Sequence, residues 1–256
     1  MRYRIVNIIS ILVLTLLIGV HYFIHPVHLG YFIILMWVYL SVVFTGCIKL
    51  SLGFFMPVKC SAVSNEKVIA LSFDDGPAAY STQILDTLQK HNVPASFFCI
   101  GKNIPSNEKI LIRINEEGHI IGNHSYSHYF WFDLWWARKM FADMQTMDKE
   151  VMKVTGLKPV LFRPPYGVMN PNLSIAIEWG KYTPIGWSIR SFDTRIKDKQ
   201  MLLSRIMKQI KPGAIILLHD SMEITAAILP ELIQQLTTQG YKIVRLDKML
   251  NINAYA

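Results

Sequence analysis

Two adjacent carboxylates, Asp74 and Asp75, close an apolar run that begins at Val68 and is stopped by Gly76-Pro77. The run reads as a buried strand, so both acids stand at its carboxyl end, where barrel-type α/β folds display reactive groups. Neighbours on a strand point to opposite faces, and one acid can bind a metal while the other stays free as a base. The plain alternative is a solvated turn, since Asp before Gly-Pro is ordinary turn chemistry. His124 and His128 are four residues apart and in a helical turn would face the same way, able to share one ion. His21 and His25 have the same spacing, but no strand-end carboxylate accompanies them.

One Asp and two His leave a coordination position open for water, the arrangement of a catalytic zinc site. Such an ion lowers the pKa of its water towards ~7, and the second Asp can take the proton. Arg163, after a short apolar stretch and before two prolines, can orient that acid and keep it ionised. His219 ends another apolar run and suits a general acid. Taken singly, Arg163 is an ordinary surface ion pair and His219 a core histidine. Together they require charged groups to recur at strand ends by coincidence.

Those groups need a scaffold. After the Asp pair come an expected helix over 81–91, a strand over 95–100, a helix over 110–117 and a strand over 119–121. A long helix over 134–155 carries Met140, Met144, Met147 and Val151 on one side, which reads as core packing. A strand over 160–162, another near 182–189, a helix over 199–210, a strand over 214–218, a helix from about Pro230 to Gln239 and a last strand over 241–246 complete the pattern. Alternating strands and helices predict a parallel α/β sheet closing into a barrel.

The sequence resembles the polysaccharide deacetylases of carbohydrate esterase family 4 over residues 67–249. Phe73-Asp74-Asp75-Gly76-Pro77 is similar to the first family motif, which implies Asp74 as base and Asp75 as metal ligand. His124-Ser125-Tyr126-Ser127-His128 matches the second, implying two His ligands. Arg163-Pro164-Pro165-Tyr166-Gly167 matches the third, implying that Arg163 holds the base and the Tyr166 amide helps bind an oxyanion. Leu218-His219-Asp220 matches the fifth, with Leu218 lining an acetyl pocket and His219 as acid. The fourth motif departs from its usual form: Trp187 and Ser188 are present at the substrate wall and Asp193 is there to tune His219. Thr194, however, replaces a Trp, and Arg190 stands where an Asp is common. The resemblance implies a distorted parallel (β/α) barrel of fewer than eight repeats and a divalent metal, Zn foremost. It also implies hydrolysis of an N-acetyl group from an amino sugar in a polysaccharide or lipid-linked glycan. Alternatives are a deformylase for a lipid-linked amino sugar and a catalytically silent carbohydrate-binding module.

Hydrophobic residues make up 52% of the 256, and the excess is concentrated at the amino terminus. No acid precedes Glu66, and the only Lys or Arg up to Cys60 are Arg2, Arg4, Lys49 and Lys59. Two apolar runs, about 5–24 and 30–50, each approach the ~20 residues that cross a bilayer, and neither has a polar face. Residues 1–60 therefore read as a membrane hairpin anchor and 61–256 as the catalytic domain, in or on the bacterial cytoplasmic membrane. Flanking charge favours the cytoplasmic face for the domain, whereas the family habit favours the outside. Phe44-Thr45-Gly46-Cys47 faintly resembles a lipoprotein box, but the apolar stretch after it offers no tether.

From residue 61 onward, 22 Lys and Arg face 18 acids, too scattered for a nucleic-acid partner. Three cysteines, Cys47, Cys60 and Cys99, form no framework. The run Tyr129-Phe130-Trp131-Phe132-Asp133-Leu134-Trp135-Trp136 follows the second histidine directly. It is expected to stack on sugars, dip into a membrane interface or pack in the core.

Overall fold

The computed structural model describes residues 2–256. Two helices come first, α1 (Arg2–Phe23) and α2 (Leu29–Ile48), both long and apolar enough to cross a membrane. Their outer ends meet the rest of the chain together. The Tyr3 amide donates to the Phe54 carbonyl at 3.1 Å, and the Met169 amide to the Cys47 carbonyl at 2.9 Å.

Strands and helices then alternate: β1 (Val68–Asp74), α3 (Ser81–His91), β2 (Ser96–Cys99), α4 (Glu108–Glu116), β3 (Ile120–Asn123), α5 (Ala137–Thr155) and β4 (Leu161–Phe162). They continue with α6 (Pro171–Gly180), β5 (Thr183–Pro184), β6 (Ile189–Arg190), α7 (Lys199–Met207), β7 (Ala214–His219), α8 (Glu223–Thr238), β8 (Lys242–Ile243) and α9 (Leu246–Leu250). All named pairings are parallel, in the order β5-β4-β3-β2-β1-β7-β6, with β8 beside the start of β1. The sheet is a curled, distorted barrel rather than the closed one that alternation alone predicts. Its seam lies between the edge strands β5 and β6, where the segment before the first strand links the end of β5 to the start of β7. Lys59 exchanges backbone hydrogen bonds with Pro184 and Gly186, and the Ala62 amide donates to the Gly213 carbonyl at 2.8 Å.

Strand alternation divides the core in two. Ile69, Leu71, Phe73, Phe97, Ile216 and Leu218 face the helices α3, α4, α7 and α8. Ala70, Phe98, Ile120, Leu161 and Ile215 fill the inside of the curl. A third cluster joins Leu50, Phe54, Phe55 and Met56 to Phe132, Met140, Met144, Leu173 and Ile177, so the chain just after α2 is packed into the α/β unit. The Met stripe of α5 lies wholly in core contacts.

Several elements differ from the sequence reading. α8 starts at Glu223, with Pro230 in its interior, because a continuous buried face from Ile224 to Leu236 offsets the one lost backbone donor. The strand expected near 182–189 is two short pieces, β5 and β6, since the chain there crosses the seam from one sheet edge to the other. α6 and α9 were not foreseen. The Asn170 carboxamide caps the amino end of α6 by accepting from the Leu173 amide at 2.8 Å, and Pro171 occupies its first turn.

Candidate active site

The register of β1 and β7 pairs Asp74 with His219, so two strand ends present an acid and an imidazole side by side. Asp75 follows in a left-handed conformation, φ 77°, which turns the chain out of the strand. This kink overrides alternation. Both carboxylates face the same imidazole, with His124 Nε2 3.8 Å from Asp74 Oδ2 and 3.7 Å from Asp75 Oδ1.

The His124–His128 segment is a loop, not the expected helical turn. Ser125 and His128 adopt positive φ, 66° and 44°. The loop is held by side chains that the sequence reading did not single out. Asn123 Oδ1 accepts from the Ser125 amide at 2.8 Å, and Asp143 of α5 accepts from the amides of Tyr126 and Ser127. Asn123 Nδ2 is anchored in turn on Asp148 Oδ1 at 2.7 Å. The signal available in the sequence was a pair of acids, Asp143 and Asp148, interrupting the Met-bearing helix.

The loop still brings the two rings together, with centroids 4.8 Å apart. Donor atoms of Asp75, His124 and His128 all lie within 4.8 Å of one another. His124 Nδ1 lies 2.8 Å from the Arg163 carbonyl, which can only accept, so the neutral ring carries its proton there and turns the Nε2 lone pair towards Asp75. Burial, then repulsion from His128, pushes the His124 pKa down to about 3, so this ring is neutral at physiological pH. A neutral imidazole pair with one carboxylate is a donor set that fits zinc, and three protein donors leave a position open.

Arg163 is fully buried on the inner face of the curl. Its Nη1 donates to Asp74 Oδ1 at 2.6 Å and to Ser72 Oγ at 2.9 Å, its Nη2 donates to the Gly186 carbonyl at 3.0 Å, and its guanidinium lies 4.0 Å from the Phe98 ring centre. Ser72, two residues before Asp74 on the same face, passes its own proton to the Ile216 carbonyl and completes the cradle. Burial nevertheless raises the Asp74 pKa above the ordinary carboxylate value, with Arg163 and His219 opposing it incompletely. Arg163 thus orients Asp74 without cancelling its basicity.

On the other side, His219 Nδ1 lies 2.8 Å from Asp193 Oδ1. Asp193 Oδ2 accepts from the His219 amide at 2.7 Å and from Thr225 Oγ1, in the first turn of α8, at 2.6 Å. Burial lowers the His219 pKa, but the bond to Asp193 and its charge prevail and lift it to about 9. His219 is therefore protonated at neutral pH. Burial would raise Asp193, yet the bonds from His219 and Thr225 bring it below the usual range.

Tyr166 sits at φ 57° next to Gly167 at φ 69°, and its ring lies 4.7 Å from that of His128. A side chain on Gly167 would meet the Trp187 ring at 2.3 Å, so Trp187 forms the floor under this turn. The family resemblance would have Leu218 line an acetyl pocket. Leu218 points away from the site into the helix-side core beside Phe73, because His219 and the residue next to it must face opposite ways. Leu217, almost fully buried, shares the face of His219. Arg190 is exposed and stacks near Trp187 and Phe192, and Thr194 is exposed.

Residues 61–183 match the family model for polysaccharide deacetylase. The chain is 36% identical over 197 residues to the peptidoglycan-N-acetylmuramic acid deacetylase PdaC of Bacillus subtilis, covering 76% of this chain and 41% of that protein. It is 34% identical over 194 residues to the peptidoglycan-N-acetylmuramic acid deacetylase PdaA of the same organism, covering 73% of each. Its fold superposes on a crystal structure of the Bc1960 peptidoglycan N-acetylglucosamine deacetylase with a TM-score of 0.73 and 29% identity, covering 78% of this chain and 95% of that one. The chain thus spans about two-fifths of the length of PdaC and nearly all of the Bc1960 structure.

Proposed function

This chain belongs to the polysaccharide deacetylase family, and from that premise we propose that it is a membrane-anchored, metal-dependent hydrolase that removes the N-acetyl group from an amino sugar of a bacterial cell-wall glycan. The observation that carries the reading is one convergence. The Asp75, His124 and His128 donors meet beside Asp74 on Arg163, while the protonated His219 on Asp193 stands at the neighbouring strand end. A missing ligand, base or acid would favour a silent binding module, and each is present.

Asp75, His124 and His128 would hold the ion, zinc by the chemistry of the set. When bound it supplies a water of lowered pKa and polarises the acyl carbonyl. Asp74, its Oδ1 fixed by Arg163, takes the proton of the attacking water. The Tyr166 amide donates to the oxygen that gains charge as the new C–O bond forms, a contribution typically of ~3 kcal/mol to the barrier. Trp187 and Leu217 flank the acyl group. His219, held through Nδ1 by Asp193, delivers its Nε2 proton to the departing nitrogen as the C–N bond breaks. Acetate and the free amino sugar leave.

The anchor reading is supported by α1 and α2, whose outer ends both touch the α/β unit and so lie on one side of any bilayer they cross. The test is acetate release from N-acetylated amino-sugar oligomers and peptidoglycan fragments by the purified full chain, after chelation and again after zinc is restored. Release that follows the metal is expected. A zinc-loaded chain that frees no acetate from any of them overturns the assignment.

A further inference from the structure

Five of the eight residues in the loop 129–136 are exposed and apolar: Tyr129, Phe130, Trp131, Leu134 and Trp136. Exposed apolar patches of this density mark contact surfaces. This one lies between two fixed points. At its start it joins the site, since Tyr129 follows His128 and the Phe130 ring lies 6.0 Å from that of Tyr166. At its base it is tied to the end of α2. Phe132 and Trp135 share a cluster with Tyr3, Val6, Val43 and Cys47 of the two apolar helices.

The ties continue through the backbone. Asn170 Nδ2 donates to the Asp133 carbonyl at 2.6 Å and Asn172 Nδ2 to the Trp135 carbonyl at 3.2 Å, while neighbouring Met169 donates to Cys47. The loop therefore stands at the level where α2 ends. Its charge also suits a lipid surface. Arg138 and Lys139 are exposed just beyond it, Lys139 lying 3.8 Å from the Trp135 ring centre, and the one acid within it, Asp133, is partly buried. Tryptophan and tyrosine with flanking basic residues are the composition of a membrane–water interface.

We propose that the loop 129–136 docks into the anionic headgroup interface of the bilayer crossed by α1 and α2, so that the rim made by His128 and Tyr166 opens at the membrane surface and receives an N-acyl amino sugar carried on a lipid. The inference rests on the anchored-hydrolase reading above, and its two arms separate the failures.

In the first arm the full chain, with Cys47→Ser, carries an environment-sensitive thiol probe at Leu134→Cys or, as reference, at Met201→Cys, an exposed apolar position on α7. Both are placed in vesicles of phosphatidylcholine and phosphatidylglycerol with brominated chains. Several-fold stronger quenching at 134 than at 201 is expected. Equal quenching in a chain that resists carbonate extraction overturns the docking alone, and a chain that washes off overturns it together with the anchor. In the second arm the double variant Leu134→Ser with Trp136→Ser is assayed on polyprenyl-linked N-acetylglucosamine and on a soluble N-acetylglucosamine oligomer. Turnover should fall several-fold on the first substrate and hold on the second; equal losses overturn the lipid-carried substrate. If the unaltered chain deacetylates neither substrate, the hydrolase reading and the substrate part fall, while the quenching still decides where the loop sits.

Discussion

His219 donates through Nδ1 to Asp193 Oδ1 at 2.8 Å while its own backbone amide binds the other oxygen of the same carboxylate. One acid therefore fixes both the position and the proton of the imidazole. The folded His219 pKa, about 9, lies above its ordinary 6.5, so the stability this pair contributes is complete below pH 6.5 and is lost as pH rises through 9. The acid form needed to protonate a leaving amine persists over the same span. Asp193→Asn should move the alkaline limb of the kcat profile towards neutrality and lower kcat by roughly 10²-fold. A pH–rate profile whose alkaline limb stays put would contradict this assignment.

Asp74 and Asp75 are adjacent in sequence and should be separable in the test tube. Asp74→Asn is expected to cut kcat by about 10²–10⁴-fold while zinc content stays at the unaltered level. Asp75→Asn and His124→Ala should lose the zinc itself. Metal analysis beside acetate release checks the pair, and loss of zinc in Asp74→Asn would reverse the two roles.

Arg163 is the largest fully buried side chain, and its partner Asp74 is buried with it. Removing the cation strands a carboxylate inside the curl. Arg163→Met should cost about 3–5 kcal/mol, read as a lower urea midpoint at neutral pH. Protonation of Asp74 relieves the stranded charge, so part of the deficit should return as pH falls. A deficit independent of pH would mean that lost packing dominates.

Gly167→Ala puts a methyl group 2.3 Å from Trp187 at a backbone conformation, φ 69°, that side chains rarely adopt. The expected cost is ~1–3 kcal/mol, with a larger relative loss in kcat than in KM because the Tyr166 amide moves with the turn. Thermal unfolding and steady-state kinetics on one preparation check both.

Leu50, Phe54, Phe55 and Met56 pack against Phe132, Met140 and Leu173, and so a cut between residues 60 and 61 goes through a core. A chain beginning at residue 49 should unfold at a higher temperature than one beginning at 61, by several degrees for each ~1–3 kcal/mol of side-chain burial retained. Equal melting temperatures would show that the cluster is marginal to the domain.

Which parts of this molecule can be read from its residues follows from how local the determinants are. Strand ends carrying Asp74, Arg163 and His219 were legible because an apolar run stopped by a charged residue is a local pattern. The pairing of Asp74 with His219 was not, since register between β1 and β7 depends on 139 residues of intervening chain closing correctly. The His124–His128 spacing pointed to two neighbouring rings, which the structure shows, but through the wrong turn, because the loop is shaped by Asn123 and Asp143 from a strand and a helix. The motif resemblance assigns Leu218 to an acetyl pocket, whereas strand alternation turns its side chain into the core. Short strands such as β5 and β6 left no period to detect, and α6 begins with the Asn170-Pro171 cap that a turn would also use.

The stitching of residues 59–62 into the barrel seam ties the segment that follows the apolar helices to the sheet that carries the site. Were α1 and α2 lodged in a bilayer, a head held in this way would keep one height and one tilt. Such a head would wait for sugar units to reach it rather than sweep outward for them.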